Sequence, residues 1–459
     1  MQERDILARI WIVAVLLTLA IIGLGVRLGY LHLANYSKLD PVYSKKLLGL
    51  RGRIFDCNGD QVPMAASLPA RRYFLDPRSI NPKHDLKVIA KTLSETLGLD
   101  EADVLQKCAQ TNTQYIRLGI SLDDQVHALL TDKKRISGVG FEDYIVRSYA
   151  HGHRMSHVVG FVNKVGEGGA GIEQQYDEYL RASAGLIRGK KDGVRIEIPG
   201  TRDVNVPAIP GNDVHLTLDH NIQYETEVAL KEVVEKFQAS SGWAIVQRIK
   251  TGEILAMAST PDFDPACYYE ESVDVWRNNA LAIIYEPGSI MKAVTVAAAL
   301  NERLVTPDTV IDTGDGAWSY AGKVLHDHVT GRITVSTALK KSSNIACAKI
   351  ALMLGNVRLE QYMRGFNFGA RLGIDLPGEE EGILGRAKAW GKLKPTRIAI
   401  GQGVAVTGLQ MINAYSTLAN DGVMMKPYVV DKVVSADGKI VLDNKPTVLG
   451  RPVRPEVAR

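Results

Sequence analysis

Hydrophobic and polar positions divide the chain into an apolar N-terminal run and two longer regions of mixed periodicity. Residues 10–26 carry no charge, and apolar character resumes after Arg27 as far as residue 33. A run of this length can cross about 30 Å of hydrocarbon. A cleaved secretory signal has a shorter run followed by small residues, and no such cleavage site follows directly. The pattern predicts a retained transmembrane anchor at residues 10–33.

The first mixed region is predicted to be rich in strands. Residues 51–56 alternate and lead into Asn58-Gly59-Asp60, a turn signal that predicts a hairpin. Between about residues 83 and 135 the apolar spacing is helical, with Asp and Ser near the expected helix starts. Residues 138–215 return to short strand-like runs separated by glycines.

A second domain is expected to begin after residues 207–211, whose Pro-Ala-Ile-Pro-Gly sequence is typical of a boundary. A strand at 214–218 precedes an amphipathic helix at about 221–237. Two further strands, at 243–249 and 253–257, are joined across a Lys-Thr-Gly turn. Periodic apolar stretches predict helices downstream, at 289–303, 333–354 and 408–420.

Composition places the chain among ordinary folded proteins. Its 459 residues are 46% hydrophobic and 23% charged, which allows about three domains of roughly 150 residues each. The net charge of +4 is mild, and the basic residues are spread along the chain. We therefore expect no nucleic-acid partner.

Cysteine and histidine spacing predicts neither a metal nor a cofactor. Four cysteines are too far apart for a zinc site or a disulfide framework and are expected to be small core residues, with one disulfide left open: Cys57, Cys108, Cys267 and Cys347. Two histidine groups lack the helical spacing of metal ligands and are expected to be solvated or packed: His151, His153 and His157, and His326 with His328.

A possible nucleophile stands at the start of an apolar helix. Ser289 opens the one Ser-x-x-Lys motif, at a helix N-terminus where unpaired N–H groups favour negative charge. Lys292 lies one turn further along the same face, and a partly desolvated lysine can act as a general base. In isolation, a capping serine before a solvated lysine is the more common explanation of this spacing.

A second motif favours a catalytic role for Ser289 and Lys292 over the helix-cap explanation. Lys341-Ser342-Ser343-Asn344 precedes another apolar helix. Ser342 supplies a hydroxyl that can relay a proton, and Asn344 an amide that can hold a substrate carbonyl. A helix cap is the structural alternative for these two residues.

These motifs resemble the active-site serine family of penicillin-binding proteins and β-lactamases, which carry Ser-x-x-Lys, Ser-x-Asn and Lys-Thr-Gly elements. The likeness covers nearly the whole chain and is greatest to class B penicillin-binding proteins. It includes residues 51–56, 157–161 with Gly171-x-Glu173, 216–219, 251–257 and 401–407. Residues 373–378 and the Gln-Gly run resemble the septal, cell-division branch more than the elongation branch.

The resemblance implies an α+β multidomain protein of a bacterial cytoplasmic membrane. A cytoplasmic tail (1–9) and the single transmembrane helix (10–33) would precede an elongated β-rich pedestal similar to the family's dimerisation domain (50–206). A transpeptidase domain with a helical subdomain and an antiparallel sheet (212–459) would lie on the extracytoplasmic side.

The resemblance also implies a mechanism. Ser289 would attack the D-Ala-D-Ala carbonyl of a peptidoglycan stem peptide, Lys292 would take its proton, and Ser342 would pass that proton to the departing D-alanine. The backbone N–H of Ser289 would stabilise the oxyanion, and Asn344 would hold the substrate. An amine of a second stem peptide would complete the cross-link, whereas a β-lactam would stall at the acyl-enzyme.

The third motif of the family is missing after Asn344. The one Lys-Thr-Gly, at residues 250–252, precedes the nucleophile, and Ser79-Ile80-Asn81 is likewise a decoy. Thr407-Gly408 stands where the family usually has Thr-Pro. We expect the chain to stop before the Lys-Thr-Gly strand and to lack the last strands of its central sheet.

Two other functions stay open. A β-lactamase or D,D-carboxypeptidase would share the catalytic fold, although such enzymes rarely carry this pedestal. A non-catalytic scaffold of the wall-synthesis complex would use the anchor and pedestal alone. In the class B interpretation a membrane-embedded glycosyltransferase and cell-division proteins would be partners, bound through the anchor and pedestal.

Overall fold

A computed structural model describes residues 2–36, 42–59, 62–110, 112–131, 136–192 and 197–459, with the side chains of 8–30 in the first helix. Two compact units divide the chain. The first comprises residues up to 49 together with 183–209, and the second comprises 50–182 together with 210–459. Asp60 of the predicted turn and residues 132–135 of the predicted helical stretch lie outside the described residues.

The N-terminal half alternates short strands and helices as follows: α1 Gln2–Tyr36, β1 Val42–Leu47, β2 Ile54–Phe55, β3 Ala66–Leu75, α2 Leu86–Leu97, α3 Glu101–Cys108, β4 Ile116–Ser121, α4 Asp124–Thr131, β5 Val139–Ser148, α5 Ser156–Val159, α6 Gly171–Gln175, α7 Asp177–Leu180, β6 Gly185–Lys190 and β7 Val204–Val206. The strands form the three-stranded sheets β1-β6-β7 and β4-β3-β5, while β2 joins a sheet further along the chain.

The C-terminal half contains these elements: β8 Asp213–Leu216, α8 His220–Phe237, β9 Gly242–Gln247, β10 Ile254–Thr260, α9 Asn279–Ala282, β11 Ile284–Tyr285, α10 Lys292–Asn301, β12 Val310–Asp312, β13 Ala317–Tyr320, β14 Lys323–His326, β15 Arg332–Thr334, α11 Val335–Lys340, α12 Asn344–Gly365, α13 Lys394–Ile398, β16 Val406–Thr407, α14 Gly408–Ala419, β17 Met424–Met425, β18 Val430–Val434, β19 Ile440–Asp443, β20 Val448–Gly450 and α15 Pro455–Ala458. The resulting architecture is α+β.

The first helix has the properties of a membrane span. Within α1, Ala8–Tyr30 is long and apolar enough to cross a bilayer, and it is the one such segment among the described residues. Its side chains from Ile10 onward are largely exposed, as expected for a helix whose partner is lipid. The observed helix therefore agrees with the N-terminal membrane anchor that the apolar run predicts.

Three apolar cores hold the second unit together. One lies between β3 and helices α2 and α3, with Tyr73 and Leu93 fully buried. Another joins β8, β10 and β18 to the short helices α5 to α7. The largest surrounds α10 and α12, and its members include Met291 and Cys347. The segment that bears Ser289 is thus attached to the largest apolar core among the described residues.

A buried ion network connects the residues noted at 51–56 and 171–173. Glu173 is fully buried and accepts hydrogen bonds from Arg51 Nε at 2.6 Å and from Arg147 Nε at 2.7 Å. Arg51 Nη1 also contacts Asp177 Oδ1 at 2.6 Å. Removing one partner of such a network leaves charge buried without compensation.

Glu173→Gln is expected to lower the free energy of unfolding by about 3 kcal/mol, because the two arginines lose their shared carboxylate. Urea denaturation of the variant beside Glu178→Gln measures this difference. Glu178 lies exposed on α7, so that control makes the same charge change without touching the network. Equal stability of the two variants would contradict a structural role for Glu173.

Several predicted elements need correction. The hairpin at 51–56 is reduced to one antiparallel bridge between Ile54 and Ala65, because β2 pairs in parallel with β8. The helix predicted at 333–354 is interrupted at residues 341–343, between α11 and α12. The stretch predicted as helical from 83 to 135 contains the strand β4, which pairs with β3.

Candidate active site

Ser289 lies where a tight turn becomes a helix. Gly288–Met291 forms a 3₁₀ turn that continues into α10. Gly288 has φ +64°, a conformation that glycine adopts at little cost. Ser289 is exposed, whereas Met291 and Lys292 are buried. Within the part of the chain that is described, neither the hydroxyl nor the backbone N–H of Ser289 makes a hydrogen bond.

The Gln-Gly loop at residues 401–403 fixes this turn. Gly288 N donates to Gly401 O at 3.0 Å, and Gly403 N donates to Glu286 Oε1 at 2.6 Å. A Cβ atom on Gly401 would lie 2.1 Å from Gly288 O, so no other residue fits there. Tyr415 OH donates to Ile290 O at 2.8 Å from α14. Residues far along the chain therefore position the proposed nucleophile.

Lys292 connects the two sequence motifs. Its Nζ lies 2.8 Å from Ser342 Oγ, 2.6 Å from Ser342 O and 2.8 Å from Asn344 Oδ1. The side chain is 1% exposed. Burial lowers the pKa of the Lys292 amine, and Cys347 and Asp327 partly offset that effect. The structure thus brings Lys292, Ser342 and Asn344 together, one helical turn from Ser289.

Ser342 is held in an unusual backbone conformation. Its φ of +55° lies in the left-handed region, which costs free energy for a residue with a side chain. The adjacent Ser343 is fully buried, caps α12 by accepting from Ala346 N at 3.2 Å, and donates to Asp327 Oδ2 at 2.5 Å. The cap alternative therefore applies to Ser343, which leaves Ser342 and Asn344 directed at Lys292.

Asp327 is the residue of this site that the sequence motifs did not reveal. Its Oδ2 also accepts from Ile345 N at 2.9 Å, and its Oδ1 accepts from Val329 N at 3.2 Å. Only its neighbours His326 and His328 were considered from the sequence, as metal ligands, and they were expected to be solvated or packed. No local signal marks Asp327, because its partners Ser343 and Ile345 lie 16 and 18 residues further along the chain.

Asp327→Ala is expected to lower the free energy of unfolding by about 2–4 kcal/mol, because three hydrogen bonds to a buried carboxylate disappear. Thermal unfolding of the variant beside Asp308→Ala, an exposed position in the same domain, measures the effect. If Asp327 holds the Ser342 loop, β-lactam acylation falls as well. Unchanged stability and acylation would remove Asp327 from the site.

The decoy motifs lie elsewhere, as expected. Residues 250–252 form the turn between β9 and β10, and Gly252 has φ +85°. Ser79 ends a 3₁₀ turn and donates to Asp76 Oδ2 at 2.6 Å.

Gly408 packs beneath the Trp243 indole, where a Cβ atom would lie 2.4 Å from Nε1. That contact explains why this chain has Thr-Gly rather than Thr-Pro.

The four cysteines are free, and the prediction that all are core residues is wrong for Cys57. Cys108 and Cys347 are buried, Cys267 is partly buried and Cys57 is exposed. Burial raises the pKa of Cys347, beside Lys292, to about 12. This thiol therefore stays protonated near neutral pH and is not a competing nucleophile.

Two of these histidines bond to backbone carbonyl groups. His157 is buried against Phe263 and contacts Val275 O through Nε2 at 2.9 Å, and burial lowers its pKa. His328 Nε2 lies 2.8 Å from Lys341 O. Among the described residues, no group of three or more His, Cys, Asp or Glu side chains is able to hold a metal ion.

Comparison with known proteins gives two family matches. Residues 46–216 match the penicillin-binding protein dimerisation domain, and residues 242–459 match the penicillin-binding protein transpeptidase domain. Together they cover most of the chain and include all four predicted site residues.

Two named relatives and one solved structure agree with these family matches. Penicillin-binding protein PbpB of Mycolicibacterium smegmatis is 29% identical over 89% of this chain and 67% of its own length. Peptidoglycan D,D-transpeptidase FtsI of Escherichia coli is 27% identical over 83% of this chain and 64% of its length.

The crystal structure of penicillin-binding protein 3 from Mycobacterium tuberculosis, complexed with aztreonam, is 25% identical, with a TM-score of 0.67 over 90% of this chain and 73% of that one. The two domain matches, found in order on one chain behind an apolar N-terminal helix, show that the protein belongs to the class B penicillin-binding proteins.

Proposed function

We propose that the protein is a serine-type peptidoglycan D,D-transpeptidase that cross-links stem peptides through a Ser289 acyl-enzyme. The observation that carries this proposal is the hydrogen-bonded cluster of Lys292, Ser342 and Asn344, one helical turn from the exposed residue Ser289. The names of the relatives supply the substrate class, and the resemblance supplies the role of each residue.

Each site residue has a defined task in this proposal. Neutral Lys292 takes the proton from Ser289 Oγ as that oxygen attacks the D-Ala-D-Ala carbonyl, and the backbone N–H of Ser289 stabilises the oxyanion. Ser342 passes the proton to the D-alanine amine, which leaves as the acyl-enzyme forms. Asn344 orients the donor peptide. The amine of a second stem peptide then attacks the ester and regenerates Ser289.

A transpeptidation assay tests the proposal and separates it from its alternatives. Protein expressed from its own gene is given a pentapeptide donor and an amine acceptor. We expect a cross-linked product and free D-alanine in equal amounts. Free D-alanine without cross-linked product would support a carboxypeptidase, and rapid turnover of penicillin would support a β-lactamase. Absence of both acylation and turnover would support the scaffold alternative.

The third family element bears on the rate of acylation. Residues 345–459 contain no Lys-Thr-Gly or Lys-Ser-Gly, and β9 pairs only with β10 among the described strands. By resemblance, the strand with this element supplies the second oxyanion donor. The polypeptide 1–459 is therefore expected to react slowly with penicillin and to expose an unpaired sheet edge.

Fluorescent-penicillin labelling of polypeptide 1–459, beside protein expressed from its own gene, measures this expectation. Sequencing the coding DNA past the codon of Arg459 shows whether a Lys-Thr/Ser-Gly follows. Labelling of polypeptide 1–459 at the rate of ordinary family members would contradict the requirement for a third element.

The proposed domain roles follow the same reasoning. Residues 1–9 form a cytoplasmic tail, 10–33 cross the bacterial cytoplasmic membrane, 50–206 form the pedestal, and 212–459 form the transpeptidase domain outside the cell. Residues 373–378 and the Gln-Gly loop favour the septal branch. A glycosyltransferase and cell-division proteins then bind the anchor and pedestal, and a fluorescent fusion is expected at mid-cell.

A further inference from the structure

One cavity of the molecule lies away from the proposed catalytic residues. It has a volume of about 480 Å³ and is enclosed by residues 151–157, by helix α8 and by the segment 257–262 at the end of β10. All three segments belong to the second compact unit. The described residues that line the cavity include none of the four predicted site residues. Its volume is typical of a site for a small molecule.

Two oppositely charged groups of the cavity have unused hydrogen-bonding capacity. The Arg154 guanidinium stacks on the Tyr224 ring, 4.6 Å from its centroid, and donates no hydrogen bond to the described chain. Glu227 Oε1 accepts from Met155 N at 3.0 Å and from Gln223 Nε2 at 2.7 Å, whereas Oε2 accepts none within the described ranges. Arg154 Nε lies 4.0 Å from Glu227 Oε2, which is too far for a hydrogen bond. The two groups therefore lie side by side, and each can take a further partner.

Two buried polar atoms of the same cavity also have no partner. The Ser156 side chain is 1% exposed, and its Oγ bonds to no described residue. His151 Nε2 is likewise buried and unpaired in the described part of the chain. Both residues line the cavity, and Ser156 directly follows Met155, whose N–H is bonded to Glu227. Buried polar groups of folded proteins nearly always have a partner, so these two atoms indicate that a bound molecule or ordered water completes this wall.

The adjacent opposite charges restrict the chemistry of a ligand. An anion bound to Arg154 alone would lie beside the Glu227 carboxylate, and a cation bound to Glu227 alone would lie beside the guanidinium, so like charges would repel in both cases. Burial raises the pKa of the Glu227 carboxyl, and a neighbouring cation would favour its ionised form. A free α-amino acid carries an ammonium and a carboxylate on the same carbon atom and can pair with both groups at once. Met257 and Ala258, buried in the lining, offer apolar surface to its side chain.

We propose that this cavity binds a free α-amino acid. The ligand carboxylate accepts hydrogen bonds from Arg154 and from the Ser156 hydroxyl, and the ligand ammonium donates to Glu227 Oε2. The ligand side chain lies against the apolar surface near Met257. The bound molecule connects residues 151–157, which lie in the match to the dimerisation domain, to α8. This site goes beyond the proposed catalytic function and does not depend on it.

Saturation-transfer NMR on the full chain in detergent micelles tests the proposal. The probes are D-alanine, which the proposed reaction releases, and D-methionine, whose longer side chain the cavity can hold. N-acetyl-D-methionine lacks the ammonium, and D-methioninamide lacks the carboxylate. We expect D-methionine to bind with a Kd of about 1 mM or below and D-alanine to bind more weakly. Each derivative is expected to bind at least about tenfold more weakly than D-methionine, because one of its two charged contacts is lost.

Substitutions locate the binding within the molecule. Arg154→Met and Glu227→Gln are each expected to weaken D-methionine binding by at least about tenfold, and Ser156→Ala by about threefold. Ser156→Ala removes a hydroxyl that has no partner among the described residues, so the thermal unfolding temperature of the ligand-free protein is expected to stay unchanged. Arg117→Met is the matched control, because Arg117 is an exposed residue of β4 outside the cavity.

The outcomes separate this cavity from the catalytic site. Ser289→Ala is expected to bind D-methionine as the unaltered protein does, because Ser289 does not line the cavity. Loss of binding in Ser289→Ala with full binding in Arg154→Met would place the ligand in the catalytic site and overturn the proposal. Equal binding of either derivative would overturn it as well. A Kd above about 10 mM for both amino acids would mean that water completes the wall at Ser156, and the site would not exist.

Discussion

Ser289→Ala is expected to abolish covalent labelling by penicillin in protein expressed from its own gene. The alanine side chain has no oxygen to form the acyl ester, and no second hydroxyl occupies that position in the 3₁₀ turn. Removal of a catalytic serine lowers the rate by about a thousandfold or more in comparable hydrolases. Gel fluorescence with a labelled penicillin and intact mass after reaction both report the ester.

The controls for this prediction come from the decoy motifs. Ser79→Ala and Lys250→Ala alter the isolated Ser-x-Asn and Lys-Thr-Gly sequences, and both are expected to label as the unaltered protein does. Ser289 is exposed and makes no hydrogen bond among the described residues, so its alanine variant should unfold at an unchanged temperature. Full labelling of the Ser289→Ala protein would exclude Ser289 as the nucleophile.

Local sequence signals predicted the parts of the fold that depend on near neighbours. The apolar spacing of α8 and α14 gave both helices within a residue or two of their observed bounds. The three-residue spacing of Ser289 and Lys292 placed them one turn apart. Ser-x-Asn then identified the partners of Lys292, because the resemblance linked two motifs that lie about fifty residues apart.

Features that depend on residues far apart in the sequence were not predicted. Asp327 acts through contacts to Ser343 and Ile345, and nothing in its own surroundings of two histidines indicates that role. The close approach of Gly401 to Gly288 joins residues more than a hundred positions apart. β2 pairs with β8 instead of closing the predicted hairpin, because register in a sheet is decided by tertiary packing.

Lys292→Met is expected to lower the rate of penicillin acylation by about a thousandfold, because the variant lacks the amine that takes the Ser289 proton in the proposed mechanism. Methionine has a similar length and no charge, so it can occupy the buried site. Labelling reactions that are stopped at several times measure the rate of acylation. The matched control is Lys340→Met, which removes an exposed lysine from α11.

The pH dependence distinguishes a proton-accepting role from a structural one. Ser289 can transfer its proton only to the neutral amine, so acylation rises with pH through the pKa of Lys292. Burial places that pKa below the ordinary value of 10.5, and the rising limb therefore lies below pH 10.5. Lys292→Met is expected to lose this limb along with most of its rate.

The Lys292→Met substitution is expected to affect the stability of the protein differently from its rate of acylation. Because the unfolded chain binds the Lys292 proton more tightly than the folded chain, stability falls as pH drops from 10.5 through the folded-state pKa. Below that pKa the full cost is present, and Lys292→Met avoids it. The variant also loses the three hydrogen bonds of Lys292 Nζ, which opposes this gain, so it is expected to stay folded at pH 7 while acylating far more slowly. A variant that unfolds easily yet acylates normally would show that Lys292 serves packing and not proton transfer.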